Sequence, residues 1–115
     1  MTVTPAMITC DTTDALALAT WWAEQTGGTI TEENDGWYVI VSVPDSPTLA
    51  FQKVEDPTPG KNRLHLDGLA DDLAAEVARL REAGAGLVAE RGDASFRWVT
   101  LTDPAGNEFC VAQRS

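Results

Sequence analysis

The chain has 115 residues and a mass of 12.3 kDa, which is the size of one compact domain. Its eighteen acidic and eight basic residues give a formal net charge of -10, so we expect no binding to nucleic acid or to an anionic membrane surface. The sequence contains neither an apolar run of roughly 20 residues nor a recognisable signal peptide, which favours a cytoplasmic location with Cys10 and Cys110 unpaired.

One sequence pattern occurs twice in the chain. Residues 7–54 align without gaps on residues 65–112 and give nine identical pairs, including Asp14 with Asp72. Such self-similarity predicts two copies of one structural unit, and a unit of about 50 residues buries too little surface to fold comfortably alone. We therefore predict a single domain. Its expected parts are module 7–54, linker 55–63 and module 64–113.

The first copy has the pattern of a strand, a helix and three further strands. Thr13 or Asp14 suits the start of the helix, because either side chain accepts a hydrogen bond from a free amide of the first turn. Gly27 and Gly28 suit its end, since glycine adopts the left-handed conformation of a helix cap. The predicted strands are Met7–Cys10, Thr29–Glu33, Trp37–Val43 and Leu49–Val54.

Two adjacent tryptophans lie in the first predicted helix. Consecutive helical residues point in different directions, so only one of Trp21 and Trp22 is expected to face the core. Trp22 shares a helical face with Leu18 and is assigned to the core. Trp21 is expected to cover a cavity mouth or a subunit contact.

The second copy repeats the same order of elements. Its helix is predicted over Asp72–Ala83, where apolar residues recur at helical spacing. A turn of sequence Asp-Pro-Ala-Gly-Asn over residues 103–107 is predicted to join the last two strands. The predicted strands are Leu64–Asp67, Leu87–Arg91, Phe96–Leu101 and Glu108–Gln113.

Strand alternation separates the core residues from the candidate site residues. Successive strand residues face opposite sides of a sheet. Phe51 and Phe109 are bulky and equivalent in the two copies, so they are assigned to the side beneath the helices. Gln52 and Cys110 then face the open side, where we expect residues of the two copies to converge around one cavity. The candidate ligand-binding residues are Met7, Tyr38, Gln52, His65, Asp67, Trp98, Glu108 and Cys110.

These features resemble a known protein family. The two tandem units, the turn DPAGN and the segment KNRLHLDGLADDLAAEVARLREAGA are similar to the glyoxalase, bleomycin-resistance and extradiol-dioxygenase group, the vicinal oxygen chelate superfamily. The last strand, NEFCV, resembles that of its small glyoxalase-like members. The resemblance implies an α+β fold in which two βαβββ modules form a curved, cavity-enclosing mixed sheet, and it implies a homodimer.

The family also implies where a metal would bind. Its metal-bearing members carry four ligands, typically His, Glu, His and Glu, on the first and last strands of each unit. The corresponding positions here are Met7, Gln52, His65 and Cys110. Only His65 matches the usual type, and His65 with Cys110 falls short of the three ligands of a catalytic zinc site. We therefore predict no cofactor. A divalent metal, if one binds, would use His65, Cys110 and Gln52, and Asp67 or Glu108 can add a carboxylate.

Each candidate residue also has a purely structural interpretation. His65 is the candidate catalytic residue, as a general base, but a single histidine on a strand also suits a structural hydrogen bond or a bond to a ligand. Cys110 is either a small buried group or a nucleophile. Trp98 and Tyr38 either pack in the core or line an apolar pocket.

Two functions therefore compete. The first is a protein that binds a small aromatic or apolar molecule without a catalytic metal, and the acidic charge favours a neutral or cationic ligand. The second is a lyase, isomerase or dioxygenase of the glyoxalase type, in which a metal ion polarises an oxygen of the substrate.

Overall fold

The computed structural model describes residues 6–60 and 65–114. The chain divides into two compact units, Met1–Pro57 and Thr58–Ser115, and the described residues of each unit form one α-helix and one four-stranded mixed sheet. Over the described ranges, neither helix combines the length and the apolar character that a membrane crossing requires. The predicted α+β class with two tandem βαβββ modules is confirmed. The cavity enclosed by both modules stays a prediction.

The first unit forms a sheet in the order β1-β4-β3-β2, in which β1 is parallel to β4 and the other neighbours are antiparallel. Its elements are β1 (Ile8–Thr12), α1 (Ala15–Thr26), β2 (Thr29–Glu32), β3 (Tyr38–Ser42) and β4 (Leu49–Lys53). The predicted first strand, Met7–Cys10, is displaced, because pairing with β4 begins at Ile8 and continues to Thr12. Met7 therefore precedes the strand.

Helix α1 begins and ends at the residues that carry the strongest local signals. The Asp14 side chain accepts a hydrogen bond from the Ala17 N–H at 3.1 Å, and Gly27 ends the helix with a φ of 71°, a conformation that costs glycine little. Leu18 and Trp22 are buried as predicted.

The prediction for Trp21 is wrong, since Trp21 is buried as completely as Trp22, at 8% and 7% exposure. The two rings pack edge to face with centroids 5.0 Å apart, which is one of the geometries that aromatic pairs prefer. Trp21 also lies one helical turn after the buried Leu18. The buried surface of α1 is therefore wider than the stripe inferred from the sequence.

The second unit has the sheet order β5-β8-β7-β6, again with one parallel pair, β5 with β8. Its elements are β5 (Asp67–Ala70), α2 (Leu73–Glu82), β6 (Gly86–Gly92), β7 (Arg97–Thr102) and β8 (Glu108–Gln113). The predicted strand Leu64–Asp67 is wrong in position, because pairing with β8 begins at Asp67. His65 therefore precedes β5, and Leu64 lies outside the described residues.

The last strand secures the start of α2. Asp72 caps the helix by accepting a hydrogen bond from the Ala75 N–H at 3.1 Å. The Gln113 side chain accepts from the Leu73 N–H at 3.0 Å and donates to the Asp71 carbonyl at 2.6 Å. The connection from β5 into α2 is thus tied to the end of β8.

The pairing registers correct the gapless repeat. Cys10 lies four residues before the cap of α1, and Phe51 and Val39 complete its row across the first sheet. Gly68 lies four residues before the cap of α2, and Val111 and Val99 complete its row across the second sheet. Phe51 therefore corresponds to Val111 rather than to Phe109. A slip of two residues leaves every side chain on its predicted face, and both phenylalanines are buried as expected. The counterpart of Cys110, however, becomes Ala50.

A buried carboxylate organises the turn between β7 and β8. Asp103 is only 4% exposed. Its side chain accepts hydrogen bonds from the backbone N–H groups of Ala105 and Asn107 at 3.0 and 2.9 Å, and from the Asn107 side-chain amide. The predicted Asp-Pro-Ala-Gly-Asn turn is thus held by its first residue.

We expect Asp103→Asn to lower the free energy of unfolding by about 1.5 kcal/mol, because a buried charged acceptor is replaced by a group that satisfies fewer of these donors. Urea denaturation followed by circular dichroism measures the change. Asp45→Asn removes an exposed charge from the β3–β4 hairpin and should stay within about 0.5 kcal/mol of the unmodified protein. Equal losses in both variants would contradict a specific role for Asp103.

Candidate functional site

One face of the second sheet collects polar side chains, and we call it the polar face. Cys110 of β8 pairs directly with Asp67 of β5 on one side and with Thr100 of β7 on the other. Directly paired residues share a face, so these three side chains form a row across three strands. The residues on the opposite face, which alternate with them, are the buried Val99, Leu101, Phe109 and Val111.

His65 joins this row from just outside β5. It lies two residues before Asp67, and its Nε2 is 3.2 Å from Asp67 Oδ1. The segment is held in place because the Leu66 carbonyl accepts a hydrogen bond from the Cys110 N–H at 2.9 Å. One ligand atom from each of His65, Asp67 and Cys110 lies within 4.8 Å of the other two. The His65 and Asp67 side chains are 37% and 72% exposed, so solvent reaches this group, which we call the HDC cluster.

The buried hydroxyl group of Thr100 links Cys110 to the guanidinium group of Arg91. Thr100 Oγ1 is 3.4 Å from Cys110 Sγ and accepts a hydrogen bond from Arg91 Nε at 2.9 Å. A hydroxyl group carries one donor and two acceptor positions. Arg91 uses one acceptor position, so the hydroxyl can donate its proton to the sulfur or accept one from the thiol, and only the first is possible with a thiolate. Thr100 escaped the sequence analysis, because only the strand register places it beside Cys110. The sequence indicates Arg91 only as a solvated charge at a strand edge, and its exposure agrees with that interpretation.

The donor set fits a divalent ion of intermediate softness. Imidazole, carboxylate and thiolate are the three ligand types that zinc accepts, and a site with three protein ligands leaves one position open. Asp67 adds the third ligand that His65 and Cys110 lack on their own. The prediction of no cofactor therefore stays a prediction. The same three groups can also donate and accept hydrogen bonds with an organic ligand.

Aromatic side chains border the HDC cluster on the polar face. Trp98 lies two residues before Thr100 on β7, so its side chain is on the same face. Its ring centroid is 5.6 Å from that of Phe96, with the planes tilted by 38°. Phe96 is 55% exposed. The two rings were expected to lie on the side of the sheet away from the helix, and the position of Trp98 on β7 agrees with this expectation. Phe96 is exposed but precedes β7 rather than belonging to it.

The candidate residues of the first unit form a different contact. The Tyr38 hydroxyl donates to Met7 Sδ at 3.1 Å and lies 3.1 Å from Thr9 Oγ1. Gln52 is exposed on β4, where it pairs with Tyr38 and Asp11. These polar groups are neutral apart from Asp11, so the first unit offers hydrogen bonds rather than a strong set of metal ligands.

Within each unit the structure brings together only part of the predicted set. Three of the eight candidates, His65, Asp67 and Cys110, form the HDC cluster, and Met7 contacts Tyr38. Glu108 lies on the polar face at the start of β8, where it pairs with Thr102. It is not among the described residues whose ligand atoms lie within 4.8 Å of one another.

Comparisons with known proteins support one family. A family model described as glyoxalase-like domain matches residues 7–112. A search of curated proteins finds no match. A solved glyoxalase/bleomycin resistance protein/dioxygenase family enzyme from Burkholderia phytofirmans PsJN is 18% identical with a TM-score of 0.79, over 94% of this chain and 96% of its own.

Two further solved structures share this fold. A lactoylglutathione lyase from Agrobacterium tumefaciens is 14% identical with a TM-score of 0.71, over 98% of this chain and 95% of its own. A mutant of the fosfomycin resistance protein from Listeria monocytogenes, complexed with Mn(II) and a dihydroxypropylphosphonic acid, is 13% identical with a TM-score of 0.77. The matched shares are 96% of this chain and 90% of that one.

The loop that leads to the aromatic pair contains a carboxylate with a perturbed pKa. The Asp93 side chain accepts hydrogen bonds from the Ser95 hydroxyl at 2.6 Å, from the Ser95 N–H at 2.8 Å and from the Phe96 N–H at 3.3 Å. These bonds favour the ionised form and lower the pKa of Asp93, the Ser95 hydroxyl having the largest effect.

We expect a carboxyl NMR titration to find the pKa of Asp93 below its usual value, and Ser95→Ala to raise it. Because the folded pKa is the lower one, the stabilisation by Asp93 is present above the unfolded pKa and is lost as the pH falls through the folded pKa. Ser95→Thr keeps the hydroxyl and should keep the low pKa. An Asp93 pKa that is unchanged in Ser95→Ala would contradict this assignment.

Proposed function

Since the chain belongs to the glyoxalase-like domain family, we propose that it binds a small aromatic or apolar molecule on the polar face of its second unit. The observation that carries this proposal is the position of Trp98 on the same face as the HDC cluster. An apolar ring surface beside a few convergent polar groups is the usual composition of a small-molecule site. The solved structures with this fold include a lactoylglutathione lyase and a fosfomycin resistance protein, and the names of both refer to small molecules.

The chemistry of this face indicates which ligand would fit. Trp98 and Phe96 suit the flat side of a ring. His65 and the exposed Arg91 can donate hydrogen bonds to an oxygen of the ligand, while Asp67 can accept one. The formal net charge of -10 raises the local concentration of neutral or cationic compounds relative to anionic ones.

We expect acridine, a planar aromatic probe, to bind the purified protein, and Trp98→Ala to weaken this binding about tenfold. Loss of ring contact and of buried apolar surface costs about 1.4 kcal/mol. Equilibrium dialysis measures the dissociation constants. Trp37→Ala is the matched control, because Trp37 is a 59% exposed tryptophan of the first unit whose ring contacts Lys53. An equal effect of both substitutions, or no binding by the unmodified protein, would refute the proposed site.

A metal-dependent enzyme of the glyoxalase type is the second candidate function. The specific observation in its favour is the HDC cluster, whose donor types fit a divalent ion. His65, Asp67 and Cys110 would hold the ion, and the ion would supply Lewis-acid polarisation of a substrate oxygen. Trp98 would orient the substrate beside the cluster. His65 could act as the predicted general base only if its imidazole does not coordinate the ion, because a coordinating nitrogen cannot accept a proton.

For this second function we expect stoichiometric zinc, nickel, iron or manganese in protein purified without chelators. Elemental analysis by mass spectrometry measures the ratio of metal to protein. His65→Ala should lower that ratio severalfold, because it removes one of three ligands. Glu90→Gln serves as the control, since Glu90 is an exposed carboxylate of the same sheet that pairs with the buried Val99 and therefore lies away from the polar face. A ratio near zero in the unmodified protein would reject the metal-dependent function and leave the small-molecule proposal intact.

A further inference from the structure

We infer that the HDC cluster selects a thiophilic divalent ion of the Zn²⁺ class against Mn²⁺ and Mg²⁺, with the Cys110 thiolate as a ligand and with Thr100 and Arg91 supporting that thiolate. This inference rests on the metal site of the second candidate function and is independent of the small-molecule proposal. It concerns residues of the second unit alone.

The geometry of the cluster is close to that of a four-coordinate ion. Two ligand atoms of one tetrahedral zinc ion, at bond lengths of about 2.0 to 2.3 Å, lie about 3.3 to 3.8 Å apart. His65 Nε2 and Asp67 Oδ1, at 3.2 Å, lie close to the lower end of this range. All three ligand atoms lie within 4.8 Å of one another, so a side-chain adjustment of about 1 Å completes the set. The exposure of His65 and Asp67 leaves room for that adjustment.

The choice of ion follows from the donor atoms. Magnesium and manganese favour carboxylate, carbonyl and water oxygens, whereas thiolate ligands favour zinc and other softer ions. The residues directly paired with Cys110 are Asp67, already in the cluster, and Thr100, and no further carboxylate of the described residues joins the three ligand atoms within 4.8 Å. A neutral hydroxyl group such as that of Thr100 is a weak ligand. Cys110 therefore decides which ion the site prefers.

A buried hydroxyl group lies beside the proposed sulfur ligand. A metal-binding cysteine must be deprotonated, and hydrogen bonds from neighbouring groups orient ligands and hold their charge. Thr100 is 4% exposed and its hydroxyl lies 3.4 Å from the sulfur, while Arg91 fixes that hydroxyl from the far side. Arg91 belongs to β6, two strands away from β8 and three from β5. Thr100, on β7, therefore lies between the Arg91 side chain and the strands that carry the cluster.

Titration of the metal-free, reduced protein with Co²⁺ tests the inference directly. Cobalt takes zinc sites, and a thiolate ligand gives a near-ultraviolet charge-transfer band that nitrogen and oxygen ligands do not produce. We expect this band in the unmodified protein and in Cys10→Ser, and its loss in Cys110→Ser and Cys110→Ala. Zn²⁺ at one equivalent should abolish the band, whereas a tenfold excess of Mn²⁺ or Mg²⁺ should leave it in place.

The same titration separates a ligand from a positioning residue. Asp67→Asn and His65→Ala should weaken Co²⁺ binding by tenfold or more while a remaining thiolate band persists at high Co²⁺. Thr100→Val should weaken Co²⁺ binding about tenfold and shift the charge-transfer band. The substitution removes the hydroxyl group beside the Cys110 sulfur, and hydrogen bonds to a ligand affect how that ligand binds the ion. Thr102→Val is the matched control on the same strand and face, and it should change neither quantity. Far-ultraviolet circular dichroism verifies that each variant is folded.

Three results would overturn the inference. They are no charge-transfer band in the unmodified protein, a band that survives in both Cys110 variants, and displacement of Co²⁺ by Mn²⁺ as effective as displacement by Zn²⁺. None of these results depends on acridine binding, so failure of the ion site is distinguishable from failure of the small-molecule site.

Discussion

The strand register of the second sheet is the constraint on which the candidate site depends. Cys110 meets Asp67 and Thr100 because β8 pairs with both neighbours at that residue. A slip of one residue would turn Cys110 to the helix-facing side and bring a buried valine to the polar face. The buried apolar residues that alternate along β8, Phe109 and Val111, oppose this slip. Burial of one face therefore fixes the chemistry of the other.

The two units share an architecture but differ in the residues of the equivalent row. Thr9, Ala50 and Ile40 occupy the first row, and Asp67, Cys110 and Thr100 occupy the second. Neither row disturbs the core, since each lies on the face away from it. Titratable groups collect in the second row, and the first has only a hydroxyl and two apolar side chains. A duplicated sheet can thus keep its packing in both copies while the polar face diverges in each.

Local signals in the sequence predicted most of the fold, and pairing between distant residues accounts for the errors. Asp14, Asp72 and Gly27 act within one helical turn, so the helix bounds were predictable, and alternation placed Phe51 and Phe109 correctly. The pairing register depends on irregular pairing in the strand after each helix, and β6 is longer than β2. An ungapped alignment of the two copies cannot account for either feature. That is why Gln52 was matched to Cys110, and why Thr100 was missed. The family resemblance is confirmed, whereas the homodimer and the cytoplasmic location stay predictions.

The candidate ligands of the polar face compete for the same side chains. An ion at the HDC cluster would occupy His65 and Cys110, leaving Trp98, Phe96 and the open ion position for an organic molecule. Without an ion, the imidazole is free to exchange hydrogen bonds with that molecule directly. The aromatic surface would be open to a flat ligand in either case, because Trp98 lies on β7 and outside the cluster. Ion binding would therefore change how the polar end of a ligand is held, while the contact of its apolar end with Trp98 would persist.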